Sequence, residues 1–347
     1  MPLDVDTFLT TVYCVIDDLY QTLCAPSLAH TPGAKGKLSD SEVLTLAVLA
    51  QWHPHRCERC FLRYAHRHWR PYFPQLTSQS AFNRRVRNLW AVLCLLGPAV
   101  AQQIQPRPDD QPAYDVWDGV PIPLMRRCRG QRHHLFGTEA GLGYGGSDQE
   151  WYYGVHALVV VRADGPSTGF VLGPGPTAEY WLAEALLRWR HDPTAPGPRV
   201  EQLAGVLGPS HKAGGERTGP TGPIGPRWGV GQPTSRPCLS DLGCSGRAWR
   251  AHWREAYGAT LLTKAEYRSV SDERERQAWS RWLCGLRQRV ETTFNILTDQ
   301  LGAKFPRVRG LWGLWTRFAA KVLASNLGVQ INHLFGRSTF EIFNPLS

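Results

Sequence analysis

At 347 residues, 42% of them hydrophobic, the chain is too long for one small core and is expected to divide into two parts. Its net charge of +10 comes almost wholly from arginine, 33 residues against six lysines. Arginine forks bind phosphate bidentately, so nucleic acid is the first partner to consider, although a GC-rich genome enriches the same residue. Nine cysteines, an odd number scattered over a long chain, argue for reduced thiols rather than a disulfide framework. The acidic start MPLDVDTFL lacks a signal-peptide plan, and no apolar run reaches membrane-spanning length. A cytoplasmic protein without membrane contact is expected.

Residues 1–108 read as helical and as a DNA-binding domain. Val5, Phe8, Leu9, Val12, Val15, Ile16, Leu19 and Leu23 follow helical spacing over 5–24. Ser39 and Glu42 form a capping-box pattern ahead of an apolar run from Val43. A third helix is expected over 58–69, and a fourth from Ser78 or Ser80 to Gly97. Arg84, Arg85 and Arg87 near the start of that fourth helix suit entry into a DNA groove, and equally suit a solvated helix face. His53, His55, Cys57, Cys60, His66 and His68 are zinc-like in content. Their spacing is poor for a metal, and reduced cysteines with surface histidines fit better.

Residues 109–347 change pattern after a proline-rich joint. Tyr114, Val116 and Trp117 lead into Asp118, and Pro121 with Pro123 are expected to stop the strand close to that carboxylate. Arg126, Arg127 and Arg129 follow at once. A carboxylate at a strand end beside a cationic run suggests metal-assisted chemistry on a polyanion; a capping Asp with solvated arginines is the plain alternative. Further strands are expected at 151–161 and 168–172, paired as a hairpin, then a helix over 177–190. The Gly/Pro-rich segment 192–237 is expected to be a long mobile loop. A strand over 237–240 leads to Asp241, a helix covers 246–257, and ATLLT at 259–263 is a fifth strand. Long helices are expected over 273–301 and 311–335. On the first of these, at about 100° per residue, Glu291 falls at the edge of the stripe formed by Leu283, Leu286, Val290, Phe294, Leu297 and Leu301. Arg287 lies one turn earlier; an ordinary i,i+4 ion pair is the plain account of the two.

Three strands, a helix, a strand, a helix, a strand and a helix is the ribonuclease H-like order, an α/β mixed sheet flanked by helices. In that fold the first and fourth strands are neighbours, so Asp118 and Asp241 would meet. With Asp118 in DGVPIP, the WYYGVH strand, Asp241 in SDLGCSG, and Arg287 with Glu291 in RQRVETTF, the chain resembles the DDE transposases of bacterial insertion sequences over about 112–335. It departs from the family pattern at Gly119, Cys244 and His156, the last where a strand-two lysine is usual.

The resemblance implies metal-dependent cleavage at insertion-sequence ends and strand transfer into target DNA. Two Mg²⁺ or Mn²⁺ ions would be held by Asp118, Asp241 and Glu291, with Arg287 positioning Glu291 or a phosphate. It also implies double-stranded DNA, terminal repeats and target, as partner, a homodimer assembled on DNA, and a place at the nucleoid. DNA contacts are expected from the arginines at 84–87 and 126–129, from His156, and from Lys304, Arg307 and Arg309. Arg317 and Lys321 extend that basic run, while Trp117 and Trp151 are read as core residues, and Phe305, Trp312 and Trp315 as packing. A hydrolytic nuclease on the same fold, or a transposase relative that binds DNA without catalysis, are the competing functions.

Overall fold

A computed structural model describes residues 4–28, 36–53, 57–106, 113–130, 136–145, 150–195, 229–240, 246–263, 271–339 and 341. Asp4 caps α1 (Val5–Leu23) by accepting the Thr7 amide, and a short turn, α2 (Ala25–Leu28), follows. The capping box is present: the Ser39 hydroxyl accepts from the Glu42 amide and the Glu42 carboxylate from the Ser39 amide, opening α3 (Asp40–Trp52). Next comes α4 (Glu58–His68). The expected single helix from Ser78 to Gly97 is two, α5 (Gln79–Asn88) and α6 (Trp90–Gln103), broken at Leu89. Gly97 and Pro98 do not end α6 but lie inside it, buried against α11 (Leu311–Leu334). There Asn326 of α11 donates to the Gly97 carbonyl (2.8 Å) and bonds both backbone groups of Ser167, so one buried amide joins two helices to the sheet.

The second part is α/β. Among the described residues it holds a six-stranded mixed sheet in the order β2–β3–β1–β5–β6, with β4 on the same side of β3 as β2. The strands are β1 (Asp115–Met125), β2 (Gly141–Gly145), β3 (Glu150–Arg162), β4 (Ser167–Pro174), β5 (Cys238–Ser240) and β6 (Leu261–Leu262). The expected hairpin is the antiparallel β3–β4 pair, and β1 runs parallel to β5, so the first and fourth expected strands are neighbours. Strand β2 lies in the glycine-rich stretch that carried no strand expectation, and the last strand is shorter than ATLLT.

The prolines do not stop β1. It continues seven residues past Asp118, pairing Pro121 with His156 and Pro123 with Gly154. Backbone direction gives the reason. The Asp115 amide points to the β5 side, donating to the Pro237 carbonyl (2.9 Å), and amides two apart share a side. The missing donors of Pro121 and Pro123 therefore face the side where, among the described residues, β5 pairs with Asp115 to Trp117 alone. Proline costs no ladder bond where no partner strand runs.

Helices cover both faces. Val116, Val120 and Ile122 of β1 share a core with Val290 and Leu297, and with α6 and α11. Trp117 turns to the other face, packing with Leu182 of α8 (Glu179–His191) and Trp253 of α9 (Arg247–Tyr257). The helix expected over 273–301 is α10 (Glu273–Asn295) continued by one π-helical turn, Ile296–Gln300. The helical and sheet parts share one continuous core through α11. The boundary expected between them at 108/109 falls outside the described residues, as does most of the Gly/Pro-rich segment, 196–228.

Where that segment re-enters the described residues it is packed. Val230 is buried and its carbonyl accepts the buried Arg190 guanidinium (2.5 Å), while Gly231 takes φ +72° against the Thr168 carbonyl, where a side chain would clash. A deletion through Gly231, which composition alone would allow, is expected to damage the fold. Removing 205–226 instead leaves 196–204 with 227 and 228, long enough to reach roughly 35 Å. That variant is expected to keep the wild-type melting temperature within about 3 °C, because lengthening or shortening a loop changes its closure entropy slowly. A larger drop by calorimetry would show that the excised residues contribute to the core.

Candidate active site and nucleic-acid interface

Asp118 stands mid-strand, half-buried, with an oxygen 3.0 Å from the Gly119 amide. Alternation places it with Val116 and Val120 on the face covered by α10, directly across from Val159 of β3. It also stands where β1 loses its parallel neighbour: the last pair is Trp117 with Ser240. The carboxyl end that matters is therefore that of β5, not of β1. Farther along, the Phe305 amide donates to the Pro123 carbonyl (2.9 Å) and closes the same side again. Between Trp117 and Pro123, six residues or roughly 20 Å, no strand pairs with β1 on β5's side among the described residues. A crevice beyond the carboxyl ends of parallel strands is the usual ligand position in open α/β sheets.

Glu291 follows the buried Val290 on α10 and is exposed, as its place at the stripe edge predicts. Thr293, two residues on, is buried and donates to the Gly165 carbonyl (3.3 Å), holding this end of α10 to the β3–β4 turn. Asp241 and Cys244 lie outside the described residues, and so does the side chain of Arg287. Among the described residues no group of three His, Cys, Asp or Glu stands close enough to hold a metal. Asp118 is a half-buried carboxylate on the face that α10 covers and Glu291 an exposed one on α10 itself, and carboxylate oxygens are the donors a hard divalent cation takes.

His156 lies on the opposite face of the sheet from Asp118. Its partner Pro121 shares the Trp117 side of β1, and Nδ1 lies 3.0 Å from the Thr177 carbonyl. Burial holds its pKa below the ordinary histidine value, against the opposing Thr177 hydrogen bond, and the Glu179 carboxylate lies 3.8 Å from Nε2. Gly119 explains itself here. A Cβ would overlap the side chains of both His156 and Glu179, so glycine at this position makes room for that pair.

The expected DNA-contacting arginines separate into two kinds. Arg85 is structural, bonded to the Asp40 carboxylate and the Leu38 carbonyl. Lys321 is buried, its ammonium on the Leu301 carbonyl (2.6 Å) and Gln51 (2.7 Å), and Arg317 pairs with Glu58. Arg84, Arg87, Arg307 and Arg309 are exposed, and the last three line one cavity of about 270 Å³ between α5 and the 301–310 loop. An adjoining cavity of about 290 Å³ shares Arg307 and adds Lys304. Basic groups 220 residues apart in sequence thus form one groove. Its loop is strained: Phe305 and Arg307 both hold φ +54°, which non-glycine residues rarely adopt.

Arg126, Arg127 and Arg129 are exposed on the turn α7 (Arg127–Gly130) and just before it, where β1 ends. Only three residues of strand, about 10 Å, separate Arg126 from the Pro123–Phe305 contact. The two basic groups thus border the same end of β1.

Trp117 is buried as expected, but Trp151 is not a core residue: it is 53% exposed. Trp315 packs in the core and Trp312 packs its ring on that of Trp90, 5.0 Å away, whereas Phe305 is exposed. A signal for Trp151 existed in the sequence: its partner strand, GLGYG, has little side chain with which to cover it.

The histidines of the zinc-like cluster have other neighbours. His53 is buried edge-on to Phe61 and Tyr64, His66 lies 3.4 Å from the Thr77 carbonyl, and His68 stacks on Tyr64; His55 falls outside the described residues. Cys57 stands at the N-cap position of α4, and hydrogen bonds from Cys60 hold its pKa below the usual thiol value.

Among the described residues no helix is long and apolar enough to cross a membrane. No family model, no curated protein and no solved structure matches the chain.

Proposed function

We propose that this chain is a DDE-type DNA transposase with a ribonuclease H-like catalytic region, which cleaves DNA at the ends of its element and joins them to a target. One observation carries the proposal. The β1–β5 pairing runs parallel and ends at Trp117 and Ser240, one residue before Asp118 and Asp241 in the chain. Glu291 sits on α10, which covers the Asp118 face, and two exposed basic groups border the far end of the same strand.

Asp118, Asp241 and Glu291 would hold divalent cations, which when bound activate the attacking hydroxyl and stabilise the leaving oxygen. The chain's own residues do the rest. The groove lined by Arg87, Arg307 and Arg309 engages phosphates and fixes the duplex against the sheet, while the β1 edge between Trp117 and Pro123 admits the scissile strand. Double-stranded DNA is the partner, a homodimer forms on it, and the protein works in the cytoplasm at the nucleoid.

The test is a plasmid carrying the gene's own flanking DNA, incubated with purified protein and Mg²⁺. Cuts at short inverted repeats, together with joined products, are expected. Cuts without joining would instead make it a hydrolytic nuclease, and the absence of both cut and joined products would overturn the proposal.

Affinity for duplex DNA is expected to fall steeply with salt, because each arginine–phosphate contact releases counterions. In R87A/R307A/R309A the slope of log K against log salt should flatten by roughly 2 to 3, at about 0.9 per lost contact. Arg85→Ala should leave that slope unchanged and lower the melting temperature instead. A slope that moves with Arg85 and not with the triple variant would place the interface elsewhere.

A further inference from the structure

The ribbon formed by β2 and β3 carries two large rings into solvent. Tyr144 and Trp151 are direct cross-strand partners with ring centroids 5.3 Å apart, and they are 57% and 53% exposed. On β2 and β3 the pair that shares their face is Leu142 with Tyr153, toward the core. Over the Trp151 ring, 5.6 Å from its centroid, lies the guanidinium of Arg127, with exposed Arg126 and Arg129 beside it in sequence. Glu150, the nearest carboxylate along the strand, alternates to the other face of β3.

The face these rings occupy is the one that carries Asp118. Residues two apart on β3 share a face, so Trp151 lies on the side of Tyr153, Val155, Ala157 and Val159, and Val159 is the cross-strand partner of Asp118. Gly130, at the end of the arginine turn, packs against the Tyr153 ring on that face. Eight strand residues, about 27 Å, separate Trp151 from the position opposite Asp118.

We propose that Tyr144, Trp151 and Arg127 form a stacking platform for an unpaired base of a DNA strand lying along this face. Flat rings exposed side by side bind any base through its π-face, and the arginines supply the cations that the adjoining phosphates require. The same face continues inward through Leu142 and Tyr153, and the Arg127 cation over the Trp151 ring, with Arg126 and Arg129 beside it in sequence, favours a polyanion as the partner. The proposal rests on the DNA-binding function above and adds to it a site for single-stranded DNA.

The experiment compares a blunt duplex with the same duplex bearing a single-stranded tail, by fluorescence anisotropy with the full chain. The unaltered protein is expected to bind the tailed DNA more tightly. Y144A/W151A should lose roughly 5- to 100-fold on the tailed DNA, the range of base–aromatic stacking, while blunt-duplex affinity stays within about twofold. Trp151→Phe, which keeps a ring, should retain most of the preference. Equal affinity of the unaltered protein for the two DNAs, or an undiminished preference in Y144A/W151A, would overturn the platform and leave the transposase proposal standing. Binding to neither DNA would overturn both.

Discussion

Asp118→Asn and Glu291→Gln are each expected to reduce metal-dependent DNA cleavage by at least about 10³-fold, equivalent to some 4 kcal/mol of transition-state stabilisation. Each substitution keeps the side chain's size and removes the charge that would hold a divalent cation. Asp118 is half-buried on the α10 face and Glu291 is exposed, so neither change empties a core position. Melting temperature and duplex affinity should therefore stay near the unaltered values, separating lost chemistry from lost fold. Glu275→Gln, an exposed carboxylate in the first turn of α10, controls for general charge effects and should cleave normally. Asp241→Asn should behave as Asp118→Asn does. Near-normal cleavage in any of the three would show that the assigned carboxylates are not the ones that act.

Much of the framework of the candidate site was legible because its pieces are local. Helical spacing placed Glu291 at the edge of a buried stripe, where Val290 is buried and Glu291 is not. Chain order brought the Asp118 strand beside the strand before Asp241, and the parallel pairing is there. The capping box at Ser39 depends on four consecutive residues and needed no tertiary context.

What was missed depends on neighbours that the local sequence does not name. Pro121 and Pro123 looked like a strand end because proline cannot donate, yet whether a donor is needed depends on how far β5 extends beside them. Arg85 and Arg87 look alike on one helix; only the packing of α5 on α3 gives Asp40 to the first and leaves the second on a groove with Arg307. His156 sat in an apolar run, WYYGVHALVVV, whose continuous burial hides the alternation that would have set it on the face away from Asp118. The central place of α11 is likewise a tertiary fact. Its apolar residues run all round the helix, which marks burial but not the partners that bury it.

Arg162→Ala is expected to be the most destabilising single change among the buried ion pairs, at about 3–5 kcal/mol. Arg162 closes β3, and its guanidinium forks onto the Asp164 carboxylate at 2.5 and 2.7 Å. The remaining N–H groups reach across to α6, donating to the Ala101 and Ile104 carbonyls at 2.8 Å each. Those carbonyls belong to the last turn of α6 and the residue that caps it, and carbonyls at a helix end have no partner within the helix. One side chain thus fixes the β3–β4 turn, ends α6 and ties the helical part to the sheet. Removing it strands the Asp164 carboxylate, whose side chain is 1% exposed, and two buried carbonyls with it. Against a total stability of roughly 5–15 kcal/mol, that loss would leave the variant marginal at 37 °C. Arg162→Lys should recover only part, since an ammonium cannot replace the planar fork. R162M/D164L, which removes both charges, should recover more than Arg162→Lys, because it is the unpaired carboxylate and not the missing ion pair that costs most. Urea unfolding of the three variants orders them directly. A loss below about 1 kcal/mol in Arg162→Ala would mean that water reaches Asp164 and that the α6 terminus is held by other contacts.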